Sequence, residues 1–344
     1  MLVYKYRGGD DEIFERDLSS LEKNCFWSSN FESLNDPQEN MISTDKFIEQ
    51  SSSIASLFLQ KSKDSLSGIY GSLDDLLGYN KKIGIYSLSK SYEDKLLWAH
   101  YANSHRGFCI EYDLDKLVDS YIHESKSHFP VLYNLKPTEL EFADISQAST
   151  NNGSLLQKIF ACKSKEWEYE KEYRIVTNDF GIQNYDFDAV KSIYFGLKMP
   201  DSQKKEMMDR LAGRFIKFYQ ITTISNDYSL HAILLKDIDY SNLFYFKVIP
   251  SKVTNGKCVK YEIFEKNYYK ISKKGDIRIE LEFTISHDAM KWLSYMIKEH
   301  LFYGAEKVFI FYYLKSQDKE DFAWATSHII NENIEIVIND HIGL

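Results

Sequence analysis

Paired cysteines are missing from this sequence. Its 344 residues include four cysteines, at positions 25, 109, 162 and 258, and none of the spacings fits a zinc site or a disulfide framework. Both kinds of site are therefore disfavoured. We expect reduced thiols that pack as small apolar side chains in a protein of the cytoplasm.

A long apolar run is missing as well. Residues 1–7 show no apolar stretch behind a basic start, and no later segment is long enough for a helix that spans a bilayer. We therefore expect a cytoplasmic location and no membrane partner.

Positive charge is in short supply. The chain has 42 Lys and Arg residues against 51 Asp and Glu residues, which gives a formal net charge of -9. A protein that wraps duplex nucleic acid carries a basic surface, so we expect no extended duplex nucleic-acid surface here. A local basic cleft is compatible with this composition.

Apolar residues, by contrast, are abundant enough for two packed domains. Hydrophobic residues make up 44% of the chain and aromatic residues 15%. Short strands and helices mix irregularly up to residue 222, whereas the strands after residue 225 are longer. We predict an α+β fold: a bent, split mixed β-sheet with packed helices over residues 1–222, then a strand-rich α+β domain over residues 225–344 with a binding or regulatory role.

The second predicted domain contains one long helix, over residues 287–303. Ser286 is suited to be its N-cap. Apolar residues at helical spacing predict that the helix packs onto a sheet. These residues are Met290, Leu293, Ile297 and Leu301.

Charged and aromatic residues alternate most closely in residues 163–176, KSKEWEYEKEYRIV. From Trp167 onward, a two-residue period predicts a strand. One face would carry Glu168, Glu170, Glu172 and Arg174, and the other Trp167, Tyr169, Tyr173 and Ile175. Neighbouring carboxylates on one face repel one another. That repulsion is tolerable in solvent, or useful in a cleft where cations or ribose hydroxyls meet the carboxylates.

Two other predicted strands end in polar residues. The strand at residues 2–7 ends at Arg7, just before a glycine pair at which the chain can turn. The strand at residues 83–89 brings the hydroxyls of Ser87 and Ser89 to one face. These strand ends are candidates for one site with the glutamates.

Eight short motifs together resemble the bacterial domain-of-unknown-function family 2971. They are residues 4–7 (YKYR), 26–29 (FWSS), 34–37 (LNDP), 86–89 (YSLS), 97–101 (LWAHY), 105–109 (HRGFC), 167–174 (WEYEKEYR) and 195–198 (FGLK). The resemblance covers residues 1 to about 222 in the right order. It implies no established reaction.

The order of the polar strand ends also resembles that of ADP-ribosyltransferases. In those enzymes an Arg, His or Tyr on the first strand, a Ser-containing strand and a later Glu-x-Glu strand surround NAD. The resemblance implies NAD as a substrate, Glu172 as the carboxylate that binds the ribose and stabilises the oxocarbenium ion, and Glu170 as the group that orients the acceptor. It implies a cofactor-binding role for Arg7, Ser87, Ser89 and Tyr101. The acceptor stays open among protein, nucleic acid and small molecule, and a toxin or defence role follows from this resemblance alone.

Two other interpretations stay open. In the first, the chain is a non-enzymatic recognition module in which residues 168–174 form a surface ion-pair ladder. In the second, a nuclease or hydrolase holds a divalent ion with Asp36, Glu39, Glu111 and Glu170, although no metal-ligand spacing is present. We therefore predict no metal site.

Overall fold

The computed structural model describes residues 1–36, 38–39, 41–57, 82–118, 126–146, 152–185, 189–212, 214, 216–238, 247–249, 253–254 and 259–339. Within them, the helices are α1 (Asp11–Glu22), α2 (Asp45–Leu57), α3 (Lys95–Tyr101), α4 (Leu114–Val118), α5 (Phe142–Ser146), α6 (Asn152–Phe160), α7 (Asp201–Arg210) and α8 (His287–Leu301). Two 3-10 helices span Phe31–Ser33 and Lys165–Glu170.

The strands alternate with these helices in an irregular order. They are β1 (Leu2–Arg7), β2 (Cys25–Ser28), β3 (Ile42–Ser43), β4 (Gly84–Ser89), β5 (Phe108–Asp113), β6 (Lys126–Pro130), β7 (Leu132–Asn134), β8 (Thr138–Glu139), β9 (Cys162–Ser164), β10 (Glu172–Thr177), β11 (Gly181–Asn184), β12 (Val190–Phe195), β13 (Lys217–Thr223), β14 (Leu230–Lys236), β15 (Lys247–Ile249), β16 (Val259–Tyr269), β17 (Lys274–Leu281), β18 (Lys307–Leu314), β19 (Ala325–Ile330) and β20 (Asn333–Ile338). The predicted α+β class is confirmed.

The chain folds into two compact units. The first comprises Met1–Phe14, Phe26–Pro200 and Phe218–Leu235, and the second comprises Glu15–Cys25, Asp201–Lys217 and Lys236–Leu344. The division into domains 1–222 and 225–344 stays a prediction. Among the described helices, none combines the length and the apolar character needed to cross a membrane.

The first unit is built on an eight-stranded sheet in the order β14-β13-β12-β5-β1-β4-β10-β6. β1 lies between β4 and β5, and β10 lies between β4 and β6, with all these neighbours antiparallel. Residues directly opposite on paired strands share a face of the sheet. The register therefore aligns polar side chains across five strands, and we call this line the polar row. Its members are Glu172, Ser89, Tyr4, Glu111 and Ser192.

The strand predicted from Trp167 onward is wrong over its first half. Lys165–Glu170 is a 3-10 helix, and β10 begins only at Glu172. The residue between them, Lys171, has a left-handed backbone with φ of 45°, which a continuous strand does not allow. Glu168 therefore stays exposed, whereas Glu170 turns inward and is buried.

The second unit contains a six-stranded sheet in the order β15-β16-β17-β18-β19-β20. It is mixed, because β17 and β18 are parallel whereas the other neighbours are antiparallel. Helix α8 begins as predicted, since Ser286 Oγ accepts a hydrogen bond from the Ala289 amide at 3.2 Å. The predicted contact face is confirmed: Met290, Leu293 and Ile297 belong to the buried core of this unit, with Leu301 packed against it.

The three cysteines within the described residues, Cys25, Cys109 and Cys162, form no disulfide bond with one another. Cys109 and Cys162 are buried and Cys25 is half-buried. Cys258 lies outside the described residues. The packing of Cys109 and Cys162 agrees with the expected role as small apolar side chains.

Candidate functional site

Strand pairing brings the predicted serines and Glu172 together. β10 pairs with β4 so that Glu172 lies opposite Ser89 and Arg174 lies opposite Ser87. These four side chains therefore lie on one face of the sheet, where β1, β4 and β10 are neighbours. Glu170 and Tyr101 reach the same place from the 3-10 helix and from α3.

Glu172 is a buried carboxylate with cationic partners. Its side chain is 5% exposed. Arg174 donates from Nε to Oε1 at 2.8 Å and from a terminal nitrogen to Oε2 at 3.2 Å, and Lys163 Nζ lies 3.4 Å from Oε2. Burial alone would raise the pKa of Glu172, but the charges of Arg174 and Lys163, with a hydrogen bond from Ser87, lower it to about 2. Glu172 is therefore ionised at neutral pH.

Glu170 lies beside Glu172 and is bound by three groups. Lys163 Nζ donates to its Oε2 at 2.7 Å, and the hydroxyl of Tyr101 donates to its Oε1 at 2.6 Å. Ser89 Oγ donates to its backbone carbonyl at 2.9 Å. Burial and the carboxylate of Glu170 raise the pKa of Tyr101, so its hydroxyl stays a donor.

A third carboxylate, Glu39, reaches the same two cations from a distant turn. It makes a short ion pair with Arg174 and lies 3.8 Å from Lys163. Its side chain is only 4% exposed, and burial raises its pKa although both cations oppose this. We call this set the ionic cluster. Its members are Glu39, Lys163, Glu170, Glu172 and Arg174.

The two cations of the cluster each make a further contact within the protein. Arg174, which is fully buried, also donates to the Phe160 carbonyl at 3.0 Å. Lys163 lies over the Trp167 ring at 4.6 Å. With every member ionised, three carboxylates face two cations, so the cluster carries one negative charge in excess.

Arg7 does not join this group. Its guanidinium carbon lies 6.0 Å from the centroid of the Tyr86 ring, and Tyr86 points away from the face that carries its neighbour Ser87. On the face of the polar row, β1 presents Tyr4 and Tyr6 instead. The structure therefore groups Ser87, Ser89, Tyr101 and the two glutamates, and it places Arg7 on the opposite face.

A second buried carboxylate of the polar row, Glu111, is bound differently. Its oxygens accept hydrogen bonds from the hydroxyls of Tyr4 at 3.1 Å, Tyr194 at 2.8 Å and Ser192 at 2.9 Å. In the part of the chain that the structure describes, no cation forms an ion pair with it. The interpretation in which Asp36, Glu39, Glu111 and Glu170 hold a divalent ion finds no support, because no group of three His, Cys, Asp or Glu side chains among the described residues could hold a metal ion.

A small cavity borders the ionic cluster at Lys163. Its volume is about 90 Å³. Polar residues on its wall include Gln38, Asn134, Lys136, Thr138 and Ser164.

Sequence reasoning missed the roles of Glu39, Lys163 and Arg174. Lys163 and Arg174 both lie in residues 163–176, together with Glu170 and Glu172. A cation close to paired glutamates in a sequence can indicate a buried ion pair. Glu39 lies 135 residues from Arg174 in the chain, so the sequence around either residue does not indicate that the two are in contact.

Comparisons with known proteins agree with part of the family prediction. The model of a family described as "Protein of unknown function (DUF2971)" matches residues 97–175, which include Tyr101, Glu170 and Glu172. The wider resemblance over residues 1–222 stays a prediction. No curated protein matches the chain.

One solved structure was found by fold comparison, the crystal structure of the sex pheromone staph-cAM373 precursor. It shares 11% sequence identity, and the alignment covers 44% of this chain and 71% of that one. The TM-score is 0.18, which carries no argument about the fold or the function.

Proposed function

We propose that the first unit binds NAD and transfers its ADP-ribose group to an acceptor. The observation that carries this proposal is the adjacency of β1, β4 and β10, with Ser87, Ser89 and Glu172 on one face. These are the three strands that contribute polar residues in the transferase pattern, and sequence alone did not establish that they are neighbours.

Glu172 is suited to the central role in this reaction. When the bond between the ribose C1′ and the nicotinamide nitrogen breaks, its electron pair leaves with nicotinamide and the ribose becomes a cation. An ionised carboxylate stabilises that cation and accepts hydrogen bonds from the ribose hydroxyls. The low pKa of Glu172 keeps the carboxylate charged for this purpose.

Neighbouring groups complete the mechanism. Glu170 would orient the acceptor, whose lone pair forms the new bond to C1′ while its proton passes to the carboxylate or to water. Ser87 would hold Glu172, and Ser89 would hold the backbone of Glu170. Because Arg7 is on the opposite face, we assign the contribution of the first strand to Tyr4 and Tyr6.

Nicotinamide release from NAD by the full chain tests this proposal, with protein, oligonucleotide and small-molecule acceptors present. Glu172→Gln should lower the turnover on the order of a hundredfold. It should remain folded but less stable than the wild type, because Arg174 and Lys163 keep Glu39 and Glu170 as ion-pair partners. Glu168→Gln is the matched control, since the Glu168 side chain is 56% exposed and pairs with Lys165 at the surface, and it should change the turnover little. Absence of NAD binding by calorimetry, or equal turnover in wild type and Glu172→Gln, would refute the proposal.

A second candidate function is a non-enzymatic recognition module. One observation favours it: the side chains of the ionic cluster are all at most 7% exposed and already paired, so they can serve to brace the turn at Glu39 against the sheet. In that case Glu172→Gln changes the melting temperature, and the wild type releases no nicotinamide.

A further inference from the structure

Glu39 differs from the other two carboxylates of the ionic cluster in how the fold holds it. Glu172 is the first residue of β10, and Glu170 ends the 3-10 helix that leads into this strand. Glu39 lies in a turn outside the sheet, with Asp36 Oδ1 accepting a hydrogen bond from the Gln38 amide at 2.9 Å. Glu39 can therefore withdraw without breaking a strand pair.

The charge balance also makes Glu39 the displaceable member. Glu170 and Glu172 already neutralise Lys163 and Arg174, so the carboxylate of Glu39 supplies the excess negative charge. Burial disfavours its charged form, which raises its pKa. Arg174 nevertheless directs one terminal nitrogen to it. The cluster thus holds one carboxylate beyond charge balance, and that carboxylate comes from a turn.

Space for an incoming group lies on the same side. The cavity of about 90 Å³ at Lys163 is lined by Gln38 and Met41, which flank Glu39 in sequence. Withdrawal of Glu39 would join its own volume to this cavity. Lys136 and Thr138 on the cavity wall add a cation and a hydroxyl that suit an oxyanion.

We propose that Glu39 occupies the place of a ligand phosphate, and that the 5′-phosphate of a ribose nucleotide replaces it on Arg174 and Lys163. This inference rests on the proposed function, because it places the ribose of the same nucleotide at Glu172. Few bonds separate the 5′-phosphate of a nucleotide from its ribose hydroxyls. Arg174 likewise contacts both Glu39 and Glu172. A single nucleotide can therefore place its phosphate at the position of Glu39 and its ribose at Glu172.

The test measures binding of nicotinamide mononucleotide and of nicotinamide riboside, which differ only in the phosphate, to the full chain by calorimetry. Glu39→Ala removes the internal competitor, so it should bind the mononucleotide at least about tenfold more tightly than the wild type. Its affinity for the riboside should change less than about twofold. Glu32→Ala removes an exposed carboxylate from the preceding 3-10 helix and should behave as the wild type.

Glu39→Gln, which keeps the shape of the side chain and removes its charge, guards against a folding defect in Glu39→Ala. It should show the same preference to a smaller extent. An equal gain for both ligands, a loss for the mononucleotide, or no binding of it by any variant overturns the inference. Nicotinamide release from NAD is measured in parallel. A gain in mononucleotide affinity without release rejects the transferase and keeps the phosphate site, whereas release without the gain rejects the phosphate site alone.

Discussion

Two carboxylates of the polar row, Glu172 and Glu111, are buried on the same face of the same sheet. Two strands separate them, which places them roughly 14 Å apart at ordinary strand spacing. Glu172 is bound by Arg174 and Lys163, whereas Glu111 is bound by three hydroxyls. One sheet therefore stabilises the same chemical group in two ways.

The difference shows where charge is available for chemistry. The hydroxyls around Glu111 belong to a packed group, in which the Tyr194 ring stacks on Tyr92 at 4.3 Å and on Tyr219 at 5.0 Å. These hydroxyls supply the hydrogen bonds that the buried Glu111 carboxylate requires. The cations around Glu172 are shared with Glu39, which comes from a turn. The ionic cluster thus combines two buried cations with a carboxylate that comes from a turn outside the sheet.

The largest expected effect follows from removing a cation of the cluster. Arg174→Ala leaves three carboxylates with Lys163 alone, so the free energy of unfolding should fall by about 3–5 kcal/mol. Lys165→Ala is the matched control, because its pair with Glu168 is exposed on both sides and should contribute about 1 kcal/mol at most. Urea unfolding measures the free energy of unfolding of both variants. Similar losses in the two variants would contradict a buried ionic cluster.

The next largest effect is expected in the stability of the protein at acidic pH. The pKa of Glu172 is lowered in the folded protein to about 2, so its contribution to stability is fully present above its ordinary value near 4.5. This contribution, on the order of 3 kcal/mol, should be lost as the pH falls from 4.5 towards 2.

The raised pKa of Glu39 has the opposite sign and acts above its ordinary value near 4.5, so its contribution to stability increases as the pH falls towards 4.5, before the loss from Glu172 begins. Because Lys163 and Arg174 stay protonated in this range, they add no slope of their own. The unfolding midpoints measured between pH 2 and 6 should therefore lose the steepest part of their pH dependence in Glu172→Gln. A slope that is unchanged in Glu172→Gln would contradict the assignment.

Activity separates the two carboxylates if the proposed transferase function is correct. Glu172→Gln should lose about a hundredfold in nicotinamide release, and Glu111→Gln less than about tenfold, since Glu111 binds only protein hydroxyls. Comparable losses in both variants at unchanged melting temperature would extend the site along the polar row towards β5.

The smallest effect concerns the hydroxyls. Tyr194→Phe removes one of three donors to Glu111 and keeps the stacked rings, so we expect a loss of about 1 kcal/mol. Tyr6→Phe is a suitable comparison, because the Tyr6 hydroxyl donates to a backbone carbonyl, that of Ser91 at 2.9 Å, instead of a carboxylate. Thermal unfolding of the two variants should show the larger loss in Tyr194→Phe.

Sequence patterns were sufficient for the strands of the site. The strands predicted at residues 2–7 and 83–89 are β1 and β4, and alternation correctly places Ser87 and Ser89 on one face. Alternation also predicts that Glu172 and Arg174 share a face, as they do. Local periodicity determines these features, and local periodicity is visible in a sequence.

Long-range features were not predictable in this way. The alternation around Trp167 fits a strand, but Lys171 reverses the backbone and Lys163 draws Glu170 inward. Arg7 obeys the strand period, yet the period alone cannot say which face carries the site. The contact of Glu39 depends on tertiary packing across 135 residues.

The position of β10 in the eight-stranded sheet has a consequence for folding during synthesis. β10 completes the edge of β4 and supplies Arg174, but it begins only at residue 172, near the middle of the chain. A shorter nascent chain has an unpaired edge at β4 and a Glu39 without Arg174, and unpaired strand edges favour aggregation. We therefore expect ribosome-bound fragments that stop before β10 to remain sensitive to protease.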